Sequence, residues 1–287
     1  MKYRDVLDLI RFDKPVGVML LFFPCAFGIA LNANSILDYK LLIPFFIGSF
    51  LMRSSGCIIN DLIDKNYDIK VERTKTRPIA SGKISPIQAI LICVLFSLCG
   101  LSILLLFSLK TIIFTFLSIP LVILYPLMKR FTFFPQIFLG FTFNFGILVA
   151  SMELAGKITA QSVILYIGAI FWTSGYDTIY GFMDIKDDKK IGVKSLSIFI
   201  EKKGPKFYLI FFYILFVLLT YISVILTESK QNIVSLTAVI FLICQLSWQI
   251  FTLNIDNPIN CLYKFKSNML AGLLAFAFIS LSRIYIL

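Results

Sequence analysis

Two short acidic windows hold the side chains best able to do chemistry. The first runs Asn60-Asp61-Leu62-Ile63-Asp64-Lys65-Asn66-Tyr67-Asp68, and the second runs from Asp177 and Tyr180 to Asp184, Asp187 and Asp188. Asp64 and Asp68 are four residues apart, as are Asp184 and Asp188. On a continuing helix each pair shares one face. Asn60 extends the first face by one turn, and Asp177 and Tyr180 lie a turn or two before Asp184. Like charges at this spacing repel, and near a bilayer they are costly without a counter-charge. A divalent cation is the simplest compensation. All-oxygen donors suit Mg²⁺ or Ca²⁺ rather than zinc or copper. Mg²⁺ usually takes one or two carboxylates and completes its shell with water and phosphate oxygens. Two such clusters facing each other would clamp a diphosphate through metal ions.

Basic residues stand beside both windows. Arg73, Lys75 and Arg77 follow the first; Lys189, Lys190 and Lys194 follow the second; Lys129 and Arg130 close an apolar stretch between them. They could contact the anion directly and offset its charge. Most of the lysines read equally well as ordinary charges on the cytoplasmic side of a membrane. Arg53 and Arg130, placed inside or at the end of an apolar stretch, read as functional. The chain has no histidine, which removes His-ligated zinc or haem, a His general base and a Ser-His-Asp triad. The six cysteines form no CxxC pair and read as small buried hydrophobes.

The elements that must position these residues follow from composition. The chain has 287 residues, 59% of them apolar and only 15% charged, with a mean hydropathy of +0.89. This excludes a water-soluble globular protein and a disordered chain. Nine stretches are long and apolar enough to cross a bilayer: 16–34, 41–60, 86–108, 111–128, 134–152, 160–180, 207–227, 232–252 and 268–287. The third and fourth are parted only around Lys110, which requires a tight turn. Residues 1–14 carry seven charges and read as a membrane-surface helix leading into the first span.

With nine spans, the segments on the N-terminal side hold 21 Lys and Arg, and the opposite segments hold four: Lys40, Lys110, Lys157 and Lys230. Arg53 and Arg283 lie inside spans. That split places the N-terminus and both acidic windows in the cytoplasm. The net charge of +11 therefore reports membrane topology, not a nucleic-acid partner. The windows are 120 residues apart. This spacing points to one transmembrane domain over 1–287 with an internal four-helix duplication, about 1–130 and 131–252, and a ninth helix added.

The stretch Met52-Arg53-Ser54-Ser55-Gly56-Cys57-Ile58-Ile59-Asn60-Asp61, continuing to Asp64, Asp68, Arg73-Thr74 and Arg77-Pro78, resembles the first signature of the UbiA superfamily of intramembrane prenyltransferases. The second signature is matched from Tyr176-Asp177-Thr178 through Tyr180, Asp184 and Asp187-Asp188 to Lys190-Ile191-Gly192-Val193-Lys194-Ser195. Arg11-Phe12-Asp13-Lys14-Pro15-Val16-Gly17 and Tyr125-Pro126-Leu127-Met128-Lys129-Arg130 are similar to the 4-hydroxybenzoate polyprenyltransferase branch. Phe134 departs from the pattern, because relatives often carry a polar residue there.

The resemblance implies an all-α polytopic fold of nine transmembrane helices around a central cavity, capped on the cytoplasmic side by the aspartate-rich loops. It implies a polyprenyl diphosphate donor, a 4-hydroxybenzoate acceptor, Mg²⁺ as cofactor and an early step of ubiquinone biosynthesis in a bacterial inner membrane. Asn60, Asp64 and Asp68 would hold one Mg²⁺, and Asp184 and Asp188 the other. Arg130 joins these aspartates as catalytic. Substrate contacts are expected among Arg11, Lys14, Arg53, Asp61, Arg73, Arg77, Tyr125, Lys129, Arg130, Asp177, Tyr180, Asp187, Lys190 and Lys194. Arg53 and Arg130 could each hold either the diphosphate or the aromatic carboxylate. Other acceptors of the superfamily (a naphthoate, haem, a lipid) are the alternatives. A transporter fits poorly, since its acids would lie at the bilayer midplane on broken helices.

Overall fold

The computed structural model describes residues 2–227 and 232–283. Lys230 and the end of the ninth stretch, residues 284–287, lie outside the described residues. Among those described, all regular structure is helical. Eight helices are long and apolar enough to cross a membrane: α1 (Pro15–Asn32), α2 (Ile36–Ile63), α3 (Pro86–Leu104), α4 (Leu109–Phe131), α5 (Pro135–Ala155), α7 (Pro205–Ile225), α8 (Ile233–Phe251) and α9 (Pro258–Arg283). Between α5 and α7 the sixth expected stretch forms α6 (Ala160–Gly181), 22 residues or about 33 Å long. Its length suffices, but Thr173, Ser174, Tyr176 and Asp177 make it more polar than the others.

The sequence states where several of these helices begin. Pro15, Pro86, Pro135, Pro205 and Pro258 each stand in a first turn, where the missing N–H costs nothing and φ is already helical. Ser85 caps α3 by accepting from the Gln88 N–H at 3.3 Å. Gly156 ends α5 at φ 68°, a left-handed conformation that suits glycine. The link between α3 and α4 is residues 105–108, and Lys110 falls in the first turn of α4 rather than in the link.

α6 is the central helix. It packs on α7, α5 and α1, and on the first turns of α9. α1 is held by α2, α5 and α9, and α8 lies on α9. Trp172 of α6 stacks on Phe216 of α7 at 5.3 Å, and its indole N–H donates to Asn268 Oδ1 of α9 at 3.0 Å. The outer helices are the mirror of this core. In α3 and α4 only 11% of the apolar window is buried, against 67% in α1, so these helices present side chains to lipid. The charged N-terminal segment forms a helix over Tyr3–Leu9, shorter than the expected 1–14, and Leu9 and Ile10 pack into a buried cluster with Ile58, Ile79 and Ile84.

Candidate diphosphate and metal site

The site is assembled at one end of the bundle, where α2, α4 and α6 finish. α2 stops at Ile63, and Asp64 takes φ −94°, ψ 2° before a one-turn helix Lys65–Asp68. After α6 the same break recurs: Asp184 takes φ −110°, ψ 6° before the helix Ile185–Ile191. In each case the second aspartate donates its backbone N–H to the first one's carbonyl, Asp68 to Asp64 at 2.8 Å and Asp188 to Asp184 at 2.9 Å. The four-residue spacing thus produces one turn beyond a kink rather than an uninterrupted helix face.

The two windows are brought together. Arg73, from the loop after α2, donates Nε–H to both carboxylate oxygens of Asp184 at 2.8 and 3.0 Å. Its Nη1 donates to the Tyr180 hydroxyl at 2.8 Å. Lys129 of α4 pairs with Asp64 and lies within electrostatic reach of Asp188. Arg130 donates to the Ile63 carbonyl at 3.2 Å, stands 3.8 Å from Asp64 Oδ1, and covers the Tyr67 ring at 5.2 Å. Tyr67 was not among the expected contacts, although it sits inside the first window.

Asp61, expected among the substrate contacts, is 1% exposed and fully engaged. Arg11 donates to its two oxygens at 2.7 and 2.8 Å, and Arg77 donates to it at 3.1 Å and to Asp68 at 2.8 Å. This clamp ties the segment before α1 to the loop after α2. Lys14 is exposed, and its side chain makes no hydrogen bond or ion pair among the described residues. Lys190 pairs with Asp187 at 3.2 Å on the surface. Lys194 donates to the Phe131 carbonyl at 3.3 Å and reaches no window carboxylate. Gln136 accepts from the Leu196 N–H at 3.0 Å and so anchors the chain after the second window. No spacing in the sequence singles it out.

Among the described residues no three acidic or cysteine side chains converge on one point, because cations occupy much of the acidic surface. Free acceptors nevertheless remain. Asp64 is 2% exposed, yet its Oδ1 has no hydrogen-bond partner. Such an orphaned buried carboxylate oxygen is expensive unless something else completes it. The side chains of Asn60 and Asp188 make no hydrogen bond among the described residues. Burial, with Asp184 alongside, pushes the Asp188 carboxyl up to about 6, as expected for an acid awaiting a counter-charge. These oxygen donors fit a hard divalent cation.

Further along α2 toward the membrane interior is Arg53. Its Nε is buried without a partner, and its guanidinium lies 5.7 Å from the Phe143 ring centre. Asp177 and Tyr125 lie within its electrostatic reach. The site therefore pairs an acidic rim with a cation set deeper among aromatic rings.

The UbiA prenyltransferase family profile matches residues 21–280. The chain belongs to the UbiA prenyltransferase family. It is an integral membrane prenyltransferase. It is 41% identical over 94% of its length to the mitochondrial 4-hydroxybenzoate polyprenyltransferase of Drosophila pseudoobscura pseudoobscura, spanning 68% of that chain. It is 40% identical over 96% of its length to the Caenorhabditis elegans protein of the same name, spanning 77% of it. The 4-hydroxybenzoate geranyltransferase 1 of Lithospermum erythrorhizon is 36% identical, with 98% and 91% of the two chains covered. The prenyltransferase fold is shared with a UbiA homolog from Aeropyrum pernix K1, at TM-score 0.76 and 19% identity, covering 93% of this chain and 98% of that one. It is shared also with a homolog from Archaeoglobus fulgidus bound to DMAPP and Mg²⁺, at TM-score 0.68 and 18% identity, covering 96% and 99%.

Proposed function

We propose that this prenyltransferase moves a polyprenyl group from polyprenyl diphosphate to C3 of 4-hydroxybenzoate and releases diphosphate, an early step toward ubiquinone. The observation that carries the reading is the joining of the two windows by Arg73, with Lys129 paired to Asp64 and in electrostatic reach of Asp188, and with Arg53, whose Nε has no hydrogen-bond partner, set deeper on α2. An anion with two phosphates matches the first feature, and an aromatic carboxylate matches the second. The names of the relatives on three organisms support this acceptor.

Asn60, Asp64 and Asp68 would hold one Mg²⁺, and Asp184 and Asp188 the other. When bound, these ions supply Lewis-acid stabilisation of the departing diphosphate. The protein's own groups do the rest. Lys129, Arg130, Arg73 and Arg77 balance phosphate charge around the carboxylates. Arg53 holds the acceptor carboxylate and so aims the ring. The allylic C1–O bond breaks with its electron pair going to diphosphate. The ring carbon ortho to the phenol donates the pair that forms the new C–C bond, and C3 then gives its proton to the released diphosphate, which restores aromaticity. The aromatic face of Tyr125 is suited to a passing carbocation, whereas the Tyr180 ring is covered by Arg73 and Phe265. The apolar walls exclude water, which would quench it.

The membrane is read as a bacterial inner membrane, with the N-terminus and both aspartate-rich loops cytoplasmic, although two of these relatives are named mitochondrial. The charge split supports the sidedness, and the repeated kink at Asp64 and Asp184 supports the internal duplication. The test is transfer of radiolabelled 4-hydroxybenzoate into a lipid extract by membranes containing the protein, supplied with a polyprenyl diphosphate and Mg²⁺. The reading requires label transfer that EDTA stops. Absence of transfer by folded protein would move the acceptor to a naphthoate or a lipid.

A further inference from the structure

Arg53 and Arg283 both lie inside expected spans, and the prenyl-transfer reaction uses only the first. Arg283 is the last described residue of α9, at the end of the bundle opposite the aspartates. There α1, α5 and α7 finish and α6 begins. Arg283 is only 8% exposed. Its Nη2 donates to the Ala33 carbonyl at 2.8 Å, and its Nη1 reaches the Thr227 carbonyl at 3.5 Å. These carbonyls stand just past α1 and α7, where helix ends favour a cation. That structural role uses two of the five guanidinium N–H donors. The Nε–H is buried without a partner. The helix ends offset part of the charge, and no carboxylate offsets the rest. Among the described residues Arg283 forms no ion pair, and the one ionisable group in its electrostatic reach is the Tyr39 hydroxyl, uncharged at neutral pH. A buried arginine at a membrane edge is costly in that state.

Arg283 lines a cavity of about 230 Å³. Asn32 and Asn34 wall it from the end of α1, Thr159 and Gln161 from the start of α6, and Leu226 from the end of α7. No acidic residue lines it. One wall is fixed by its own hydrogen bonds. The Asn32 Nδ2 donates to the Gly28 carbonyl at 2.8 Å, and its Oδ1 accepts from the Thr159 hydroxyl at 3.2 Å. The side-chain amides of Asn34 and Gln161 make no hydrogen bond among the described residues, so their NH₂ groups remain available as donors. The cavity thus combines a cation with uncommitted amides and holds no competing carboxylate. Leu226 at its rim is 50% exposed, so an apolar surface adjoins the polar one.

We propose that this cavity binds a phosphate-type anion, at the membrane edge opposite the diphosphate site, through Arg283, Asn34 and Gln161. An arginine fork with two carboxamides matches the non-bridging oxygens of a phosphate or phosphodiester. The headgroup of an anionic phospholipid brings those oxygens to the ends of the spans, with its acyl chains beside the Leu226 surface. Free phosphate carries the same oxygens without the chains. The site stands apart from prenyl transfer and holds whatever the donor and acceptor are.

The experiment measures the melting temperature of the full chain in neutral detergent with EDTA, which denies the aspartates a metal to recruit phosphate. Dioleoylphosphatidylglycerol, dioleoylphosphatidylcholine and inorganic phosphate are added separately to wild type, Arg283→Gln and Gln161→Leu. Phosphatidylglycerol should raise the wild-type melting temperature by about 3 °C or more beyond phosphatidylcholine. Arg283→Gln should lose at least about half of that excess. Loss of the two carbonyl contacts alone would lower its melting temperature equally in both lipids and leave the excess intact. Gln161→Leu keeps those contacts, should also lose part of the excess, and decides the matter if Arg283→Gln does not fold. A full excess in both variants would place the phosphatidylglycerol effect on the basic loops at the other end and overturn the site. So would the absence of any excess in the wild type. Inorganic phosphate that stabilises the wild type but not Arg283→Gln supports the site with free phosphate as its ligand. Loss of the lipid excess without such a phosphate effect supports it with the lipid headgroup.

Discussion

Arg53 and Asp61 lie on the same helix and carry opposite obligations. Arg53 is buried with a partnerless Nε and only Asp177 as a carboxylate in its electrostatic reach, so that Nε–H is available to a ligand. Asp61 is enclosed by Arg11 and Arg77, so its charge is spent within the fold. Substituting Arg53, and Arg11 as a partner of Asp61, should separate function from stability. Arg53→Ala should raise KM for 4-hydroxybenzoate by about 10–100-fold, the value of a charge-assisted hydrogen-bonded pair. It should leave the KM for the polyprenyl donor near wild type. The carboxamide of the acceptor, already lacking the charge, should be turned over about equally by the two enzymes. Steady-state kinetics with both acceptors check this, and an equal loss on acid and amide would sink the assignment of Arg53 to the carboxylate. Arg11→Ala, by contrast, leaves the buried Asp61 carboxylate with Arg77 alone. A cost of about 1–3 kcal/mol in stability is expected, read as a lowered melting temperature in detergent, with KM for both substrates little changed.

At the scale of elements, hydropathy and patterning locate most of the helices, and small residues decide how they meet. Gly175 of α6 is the clearest case. A Cβ there would stand 2.4 Å from Tyr213 Cε1, and the Tyr213 hydroxyl donates to Gln249 of α8 at 3.0 Å. Gly175→Ala must push that ring and its hydrogen bond, at about 1–3 kcal/mol for an overpacked core. Thermal unfolding with Gly56→Ala of α2 as the control, where a Cβ would meet nothing within 4 Å, should show a clear loss for the first variant and none for the second. The sequence does not distinguish these two glycines. Each lies in an apolar helix, and only the neighbour across the gap, brought in from far along the chain, sets them apart. The same reason hid the Arg11–Asp61 clamp and the role of Gln136. The acidic windows were legible because their spacing is local and their charge is unusual at a membrane edge. What local spacing missed is the kink at Asp64 and Asp184, which turns an expected helix face into two short turns. The sixth stretch shows the converse. Its polar residues lower its hydropathy because it is the helix that serves the site and the core together.

Across the whole molecule, the two halves of the site belong to loops 120 residues apart, joined here by Arg73 to Asp184, with Lys129 paired to Asp64 and within electrostatic reach of Asp188. Cations of the protein thus hold the carboxylates against their mutual repulsion. Asp64 keeps a buried oxygen without a hydrogen-bond partner, while Asp68 and Asp184 are engaged by Arg77 and Arg73. Binding of Mg²⁺ with diphosphate gives the arginines phosphate oxygens in exchange for carboxylates, so metal and anion should bind far better together than alone. Ligand that binds only the folded state stabilises it by about 2.7 kcal/mol at a hundredfold excess over Kd. Inorganic diphosphate with Mg²⁺ should therefore raise the melting temperature by several degrees, while either alone raises it little and EDTA removes the gain. Asp64→Asn and Asp188→Asn, one from each loop, should each abolish the increment while leaving the protein inserted in the membrane. If one of the two retained the full increment, its loop would lie outside the diphosphate site, and the bridge between the two halves would be structural alone.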